Sequence, residues 1–271
     1  MITDLRLAKL CKAFDGRSRR SCSEAHTSRV AALLTRCVGF VLGIVSLGTL
    51  TLSSLQAQVP AEQPAQSVPE VRAAPPVESD RKTSTPYSGD LSIFEGKDRA
   101  EKLQIDRVMD LLEIRAGKTV ADIGAGSGWF SVLAAGRVGA TGSVVAVDIS
   151  QASVDHIARR SIEENIPQLE ARLGAPDDPL LEPSSVDAVL ILKTYHEFER
   201  PVTMMDHLRR AMRPGGLVGV IDKNGHGDDH GISPETVIDE CRRAGFELVS
   251  QHDFVKGDGV DYFLIFRPVA R

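Results

Sequence analysis

The chain has 271 residues, 42% of them hydrophobic and 25% charged, with a formal net charge of −5. That composition belongs to a globular protein with room for one large domain or two small ones. The acidic balance argues against general nucleic-acid binding, which needs a basic face to neutralise phosphates.

The four cysteines, Cys11, Cys22, Cys37 and Cys241, show no metal-ligand spacing. Residues 1–58 read as a basic leader followed by a signal peptide or membrane anchor. The run VGFVLGIVSLGTLTLSSL over 38–55 carries no charge. It is short for a membrane span and long for a signal-peptide core, and Leu55-Gln56-Ala57 offers a cleavage point. Arg29 and Arg36 precede the run, whereas Glu62 and Glu70 follow it. The positive-inside rule then keeps the N-terminus in the cytoplasm and sends the remainder across. The expected location is therefore the periplasmic side, exported or membrane-attached through 38–55; the alternative is cytoplasmic. Residues 59–90, rich in Pro, Ala, Glu, Gln and Ser, read as a disordered linker.

The folded domain is expected over 91–271. Asp98 to Glu113 has helical spacing, with Leu103, Val108, Leu111 and Leu112 as its apolar positions. Val120 to Ile123 is a short buried strand. It runs into a glycine turn, Gly124-Ala-Gly-Ser-Gly128, and then a helix over Trp129–Val138. Ser143–Asp148 is a second buried strand ending in an acid, followed by a helix over Ala152–Asn165. Leu169–Leu173 is a weak strand with the loop Gly174-Ala-Pro-Asp-Asp-Pro179 behind it. Val186–Leu192 is a strong strand leading into Lys193-Thr-Tyr-His-Glu197. A helix over Pro201–Met212 is stopped by Arg213-Pro-Gly-Gly216, and Leu217–Asp222 is the next strand. Ser233-Pro-Glu opens a helix over Glu235–Ala244, with Ser as cap and Pro in the first turn. Phe246–Phe254 and Tyr262–Arg267 form a closing hairpin. Alternating strands and helices imply an α/β fold: a Rossmann-like three-layer α/β/α sandwich on a mostly parallel seven-stranded sheet with a C-terminal antiparallel hairpin.

Ligands of such sheets bind beyond the carboxyl ends of the strands, where the glycine turn, Asp148, the Asp177–Asp178 loop and Tyr195-His196-Glu197 all fall. A glycine turn followed by an acid at Asp148 fits either a nicotinamide dinucleotide or S-adenosylmethionine. Asp122 suits a cationic ligand better than a pyrophosphate. The glycines follow G-x-G-x-G rather than G-x-G-x-x-G, and the hairpin is foreign to a simple dinucleotide domain.

VADIGAGSGWFS, VVAVDIS, VDAVLILKTYHEF, LRRAMRPGGLVGVID and the closing AGFELV and YFLIF resemble class I S-adenosylmethionine-dependent methyltransferases over Ile93 to Pro268. Asp98-Arg99, Asp178-Pro179, Tyr195-His196 and Ile232-Ser-Pro-Glu-Thr-Val237 are similar to a group of bacterial methyltransferases with little assigned function. The resemblance implies S-adenosylmethionine as cofactor and a small-molecule methyl acceptor. It assigns Asp122, Gly124, Ala125, Gly126 and Gly128 to the amino-acid end, Asp148 with Ile149 to the ribose, and Asp177 or Asp178 to adenine. Ala175 stands where an adenine-binding acid is commonest.

The sulfonium already carries the activation, so alignment of the nucleophile supplies much of the rate. A base is needed only for a protonated nucleophile. His196 is the candidate base, with Tyr195 as a wall or donor; the competing role for His196 and Glu197 is to cap the next helix or line the pocket. Lys193 could pair with a substrate acid or be exposed. His226-Gly-Asp-Asp-His230 with His196 could offer metal ligands, but a polar loop with incidental histidines is the simpler reading, and no metal is expected. Trp129 is expected to pack the first helix. Two other functions stay open at this level: a non-catalytic protein of the same fold that binds a nucleoside or a partner, and an NAD-dependent oxidoreductase.

Overall fold

The computed structural model describes residues 77–269. The leader, the apolar run 38–55 and most of the linker lie outside these residues. Among the described residues, no helix is long and apolar enough to cross a membrane.

Strands β1 (Thr119–Ile123), β2 (Ser143–Asp148), β3 (Leu169–Leu173), β4 (Val186–Leu192), β5 (Met212–Lys223), β6 (Phe246–His252) and β7 (Asp261–Pro268) form one sheet in the order β3-β2-β1-β4-β5-β7-β6. The first five run parallel, and β7 is antiparallel to both β5 and β6. The chain winds outward in one direction from β1 to β3, then in the other from β4. The switch point lies between β1 and β4, where such sheets open a crevice.

Alternation along the strands makes the three layers. Ala121, Ile123, Val145 and Val147 point into a core with α5 (Pro201–Ala211) and α6 (Pro234–Arg243). Val120, Val144 and Ala146 point the other way, onto α2 (Ile105–Leu111), α3 (Trp129–Val138) and Ile157 of α4 (Gln151–Glu163). A period of two with both faces apolar is what a parallel sheet covered by helices requires.

Ser150 and Ser233 cap α4 and α6 through their side-chain oxygens, and Pro234 stands in the first turn of α6. The helix expected over Asp98–Glu113 is two helices. Gln104 adopts a left-handed conformation (φ 47°, ψ 49°) that separates α1 (Arg99–Leu103) from α2. Its side chain donates to the Phe254 carbonyl at 3.1 Å, which offsets part of the backbone strain. The break allows Arg99 to face the crevice while Val108, Met109 and Leu112 stay in the core.

α5 ends at Ala211, as the stop Arg213-Pro-Gly-Gly216 implied, and that stretch is also a bulged entry to β5. The register against β4 steps from Val186–Met212 to Ala188–Leu217.

Residues 77–90 belong to the fold, although their composition placed them with the linker. The Glu78 carboxylate accepts the backbone N–H groups of Val202 (3.1 Å) and Thr203 (2.9 Å), capping α5, which has no side-chain cap of its own. Arg81 pairs with the fully buried Glu240 at 2.9 Å and donates to the carbonyls of Tyr195 and His196. Ser84 is buried and donates to the Gly227 carbonyl at 2.7 Å.

Candidate functional site

At the switch point, a cavity of about 430 Å³ opens beyond the carboxyl ends of β1, β2 and β4. Its size suits a small organic ligand. The glycine turn forms its floor. Gly124 has φ +72°, and a Cβ there would run into the Thr194 side chain, so only glycine lets the β1 turn approach the loop after β4. Gly126 has φ +56°, and its N–H donates to the Asp148 carboxylate at 2.8 Å.

Asp148 ends β2 and also accepts the Ser150 N–H at 2.9 Å. These two bonds occupy part of an acceptor capacity of about four lone-pair directions, which leaves room for hydroxyl donors of a ligand. Burial raises its pKa, against the lowering effect of the N–H bonds. Ile149 lines the cavity beside it.

Asp122 is 2% exposed and accepts the Ser131 hydroxyl at 2.6 Å. Burial pushes its carboxyl up to about 6, with the Ser131 bond and the Arg99 charge pulling the other way. A carboxylate held short of its hydration is set to gain from an incoming cation.

Arg99 lines the same end. Its guanidinium lies 4.4 Å from the centroid of the Trp129 ring and donates to the Phe94 carbonyl at 2.6 Å. Sequence reasoning matched Arg99 to a family stretch but gave it no role. Trp129, expected to serve packing alone, lines the cavity as well as stacking on Arg99.

The roof comes from the segment read as linker and its continuation: Pro86, Tyr87, Ser88, Leu91 and Phe94 line the cavity, with Tyr87 and Phe94 edge to face at 5.3 Å. Tyr, Leu and Phe at the end of a Pro/Ala-rich stretch were the available signal, since such residues seek burial.

Several expected site residues sit elsewhere. Asp177 pairs with Arg200, and Asp178 pairs with His207 and accepts the Leu180 N–H; neither lines the cavity. The β3 loop presents Ala175 and Pro176 there instead, so an adenine ring would meet apolar surface and backbone. Gly128 starts α3 behind the floor, where a Cβ would press on Ile157.

Tyr195 is fully buried in the core, its hydroxyl 3.9 Å from the Cys241 sulfur. His196 is 3% exposed, and its Nδ1 lies 2.9 Å from the Asp222 carboxylate. Neither ring lines the cavity, because the 3-10 turn Tyr195–Glu197 directs both inward and sends Glu197 toward the opening. Burial pushes the Glu197 carboxyl up to about 7.

Lys193 lines the cavity with a left-handed backbone (φ 59°), and its ammonium pairs with the buried Asp261 at 2.6 Å. Among the described residues, no group of His, Cys, Asp and Glu is arranged to hold a metal ion.

The site thus offers a glycine floor, the buried Asp122 carboxylate on β1 and the half-buried Asp148 carboxylate that ends β2. This donor set suits a cationic ligand with a diol. It opposes a pyrophosphate, which would lie against Asp122 and Asp148.

Residues 120–216 match the model of a methyltransferase domain family. The fold is shared with a SAM-dependent methyltransferase from Aquifex aeolicus at TM-score 0.60 and 20% identity, covering 67% of this chain and 100% of that one. The family match covers residues 120–216 of the 271, and the fold around it is the one the Aquifex aeolicus protein has.

Relatives of this chain include nocamycin O-methyltransferase of Saccharothrix syringae, 32% identical over 42% of this chain and 41% of that protein. Another is demethylmenaquinone methyltransferase of Oceanobacillus iheyensis, 27% identical over 42% and 48%. The chain thus spans less than half the length of either relative. The [4+2]-cyclase SpnF has the same fold, at TM-score 0.55 and 17% identity over 71% of this chain and 88% of that one.

Proposed function

We propose that the protein transfers the methyl group of S-adenosylmethionine to a small-molecule acceptor. The observation that carries this reading is the pair of carboxylates, buried Asp122 and half-buried Asp148, set around the Gly124–Gly126 floor at the switch point. Asp122 with Arg99 offers complementary charges to the ammonium and carboxylate of an amino-acid moiety, and Asp148 has acceptor sites free for a ribose diol. The bound cofactor supplies an activated methyl group on a positively charged sulfur. The chain supplies position: the glycine floor fixes one side, and the roof of Tyr87, Leu91 and Phe94 limits water.

Incubation with methyl-labelled S-adenosylmethionine and a panel of hydroxyl, amine and thiol compounds tests the activity. Label on any acceptor supports methyl transfer; tight cofactor binding with no transfer across the panel favours the non-catalytic reading. From the charge asymmetry around 38–55 we also infer export or membrane attachment. Cell fractionation with mapping of the mature N-terminus checks it, and a cytoplasmic, unprocessed chain would contradict it.

A further inference from the structure

Four carboxylates line the cavity: Asp122 and Asp148 belong to β1 and β2, whereas Glu197 and Glu199 follow β4, with Glu197 half-buried and Glu199 exposed. Glu197 closes the 3-10 turn after β4 and lines the cavity together with Asp148. Behind it lies a buried pair that the site has not otherwise used. The Nδ1 of His196 is 2.9 and 3.0 Å from the two oxygens of Asp222, and the backbone N–H of His196 donates to the same carboxylate at 3.1 Å. Asp222, near the end of β5, is fully buried. An ionised carboxylate only accepts, so Asp222 holds a proton on Nδ1 and Nε2 faces Glu197, whose Oε1 is 3.9 Å away, an ion-pair contact when the ring carries both protons.

We propose that Glu197 is the proton acceptor for a protic methyl acceptor, with His196 and Asp222 as its positioning residues. This inference rests on the methyl-transfer reading. In the step, the nucleophile's lone pair forms the bond to the methyl carbon, and the S–CH3 bond breaks to leave a neutral thioether. The nucleophile's X–H bond yields its proton to a Glu197 oxygen, and the proton later passes to solvent. No further reactant is required.

The groups acting on Glu197 are known. His196 and the Tyr87 backbone N–H favour its charged form, while burial, Asp148 and Asp222 disfavour it. Lys193 is held by Asp261. The outcome is a carboxyl near 7, able both to take and to release a proton at neutral pH. The same anionic surroundings select for acceptors that are uncharged before transfer, such as alcohols, phenols, neutral amines or thiols, and against carboxylates.

Proton linkage separates this role from cofactor binding alone. S-adenosylmethionine and S-adenosylhomocysteine share their ammonium, carboxylate and ribose, so the contributions of Asp122 and Asp148 cancel between them. Only the sulfonium differs. Calorimetry at pH 7 in buffers of different ionisation enthalpy is expected to show that the sulfonium ligand releases a few tenths of a proton more than the thioether. Glu197→Gln should abolish that excess while both ligands still bind within about threefold of wild type. His196→Asn should move the pH of greatest excess upward, because His196 favours the charged carboxylate.

Equal release from the two ligands, an excess that survives Glu197→Gln, or loss of S-adenosylhomocysteine binding in that variant would overturn the proposal. The last result would make Glu197 a cofactor contact. Failure of wild type to bind either ligand is a separate outcome and sinks the methyl-transfer reading itself.

Discussion

Asp122 shows how one residue couples stability to ligand binding. Its folded-state pKa rises from 3.8 to about 6, chiefly through burial. A raised carboxyl favours the folded state fully below the unfolded value, and that contribution fades as pH climbs through about 6. The shift corresponds to about 3 kcal/mol, partly regained when a cation neutralises the site. Glu197, raised from 4.5 to about 7, acts in the same direction. Thermal melts of the ligand-free protein should therefore show stability falling between pH 4 and pH 7 from these two groups. Asp122→Asn should flatten that dependence while weakening S-adenosylhomocysteine binding by about 100-fold, the scale of one charge-assisted contact. A variant with unchanged affinity would remove Asp122 from the cofactor site.

At the scale of elements, the segment before α1 does more than its composition suggests. Arg81 is the cation beside Glu240, a carboxylate with a fully buried side chain. Removing one partner of such a pair leaves an uncompensated charge, at a cost of about 3 kcal/mol. Arg81→Ala should thus lower the melting temperature by roughly 10 °C in a domain of this size. Adding Glu240→Gln should restore part of it; no recovery would mean that the loss comes from the Tyr195 and His196 carbonyl contacts instead.

The limits of sequence reading are visible in the same elements. Strands β1, β2 and β4 are legible because runs such as Ser143–Asp148 are apolar on both faces and end at turn residues. The break at Gln104 is not legible: no Gly or Pro marks it, and its compensation comes from the Phe254 carbonyl far along the chain. Glu78 capping α5 is hidden for the same reason, since a cap supplied from 124 residues away leaves no local pattern. In the site, Asp122, Gly124, Gly126 and Asp148 are fixed by strand ends and so are readable. The 3-10 turn that buries Tyr195 and His196 and sets Glu197 in the cavity wall is held by packing against Cys241 and Asp222, which spacing does not reveal.

For the whole molecule, the winding order β3-β2-β1-β4-β5 creates the crevice, and residues 77–94 close over it. Fold and cover are therefore one unit. A chain beginning at Leu91 lacks the Glu78 cap, the Arg81 pair and the Tyr87 part of the roof. It should melt well below one beginning at Val77 and bind cofactor more weakly; equal melting and affinity would show the segment to be passive.

The central claim is that the carboxylate-ringed crevice holds a sulfonium cofactor and not a dinucleotide. Its most direct test is calorimetric titration of the full chain at neutral pH with S-adenosylhomocysteine and, in parallel, with NAD. One saturable site for S-adenosylhomocysteine, weakened at least tenfold by Asp148→Ala and absent for NAD, is the predicted result. No heat from S-adenosylhomocysteine at millimolar concentration, or saturable binding of NAD in the same crevice, would contradict it.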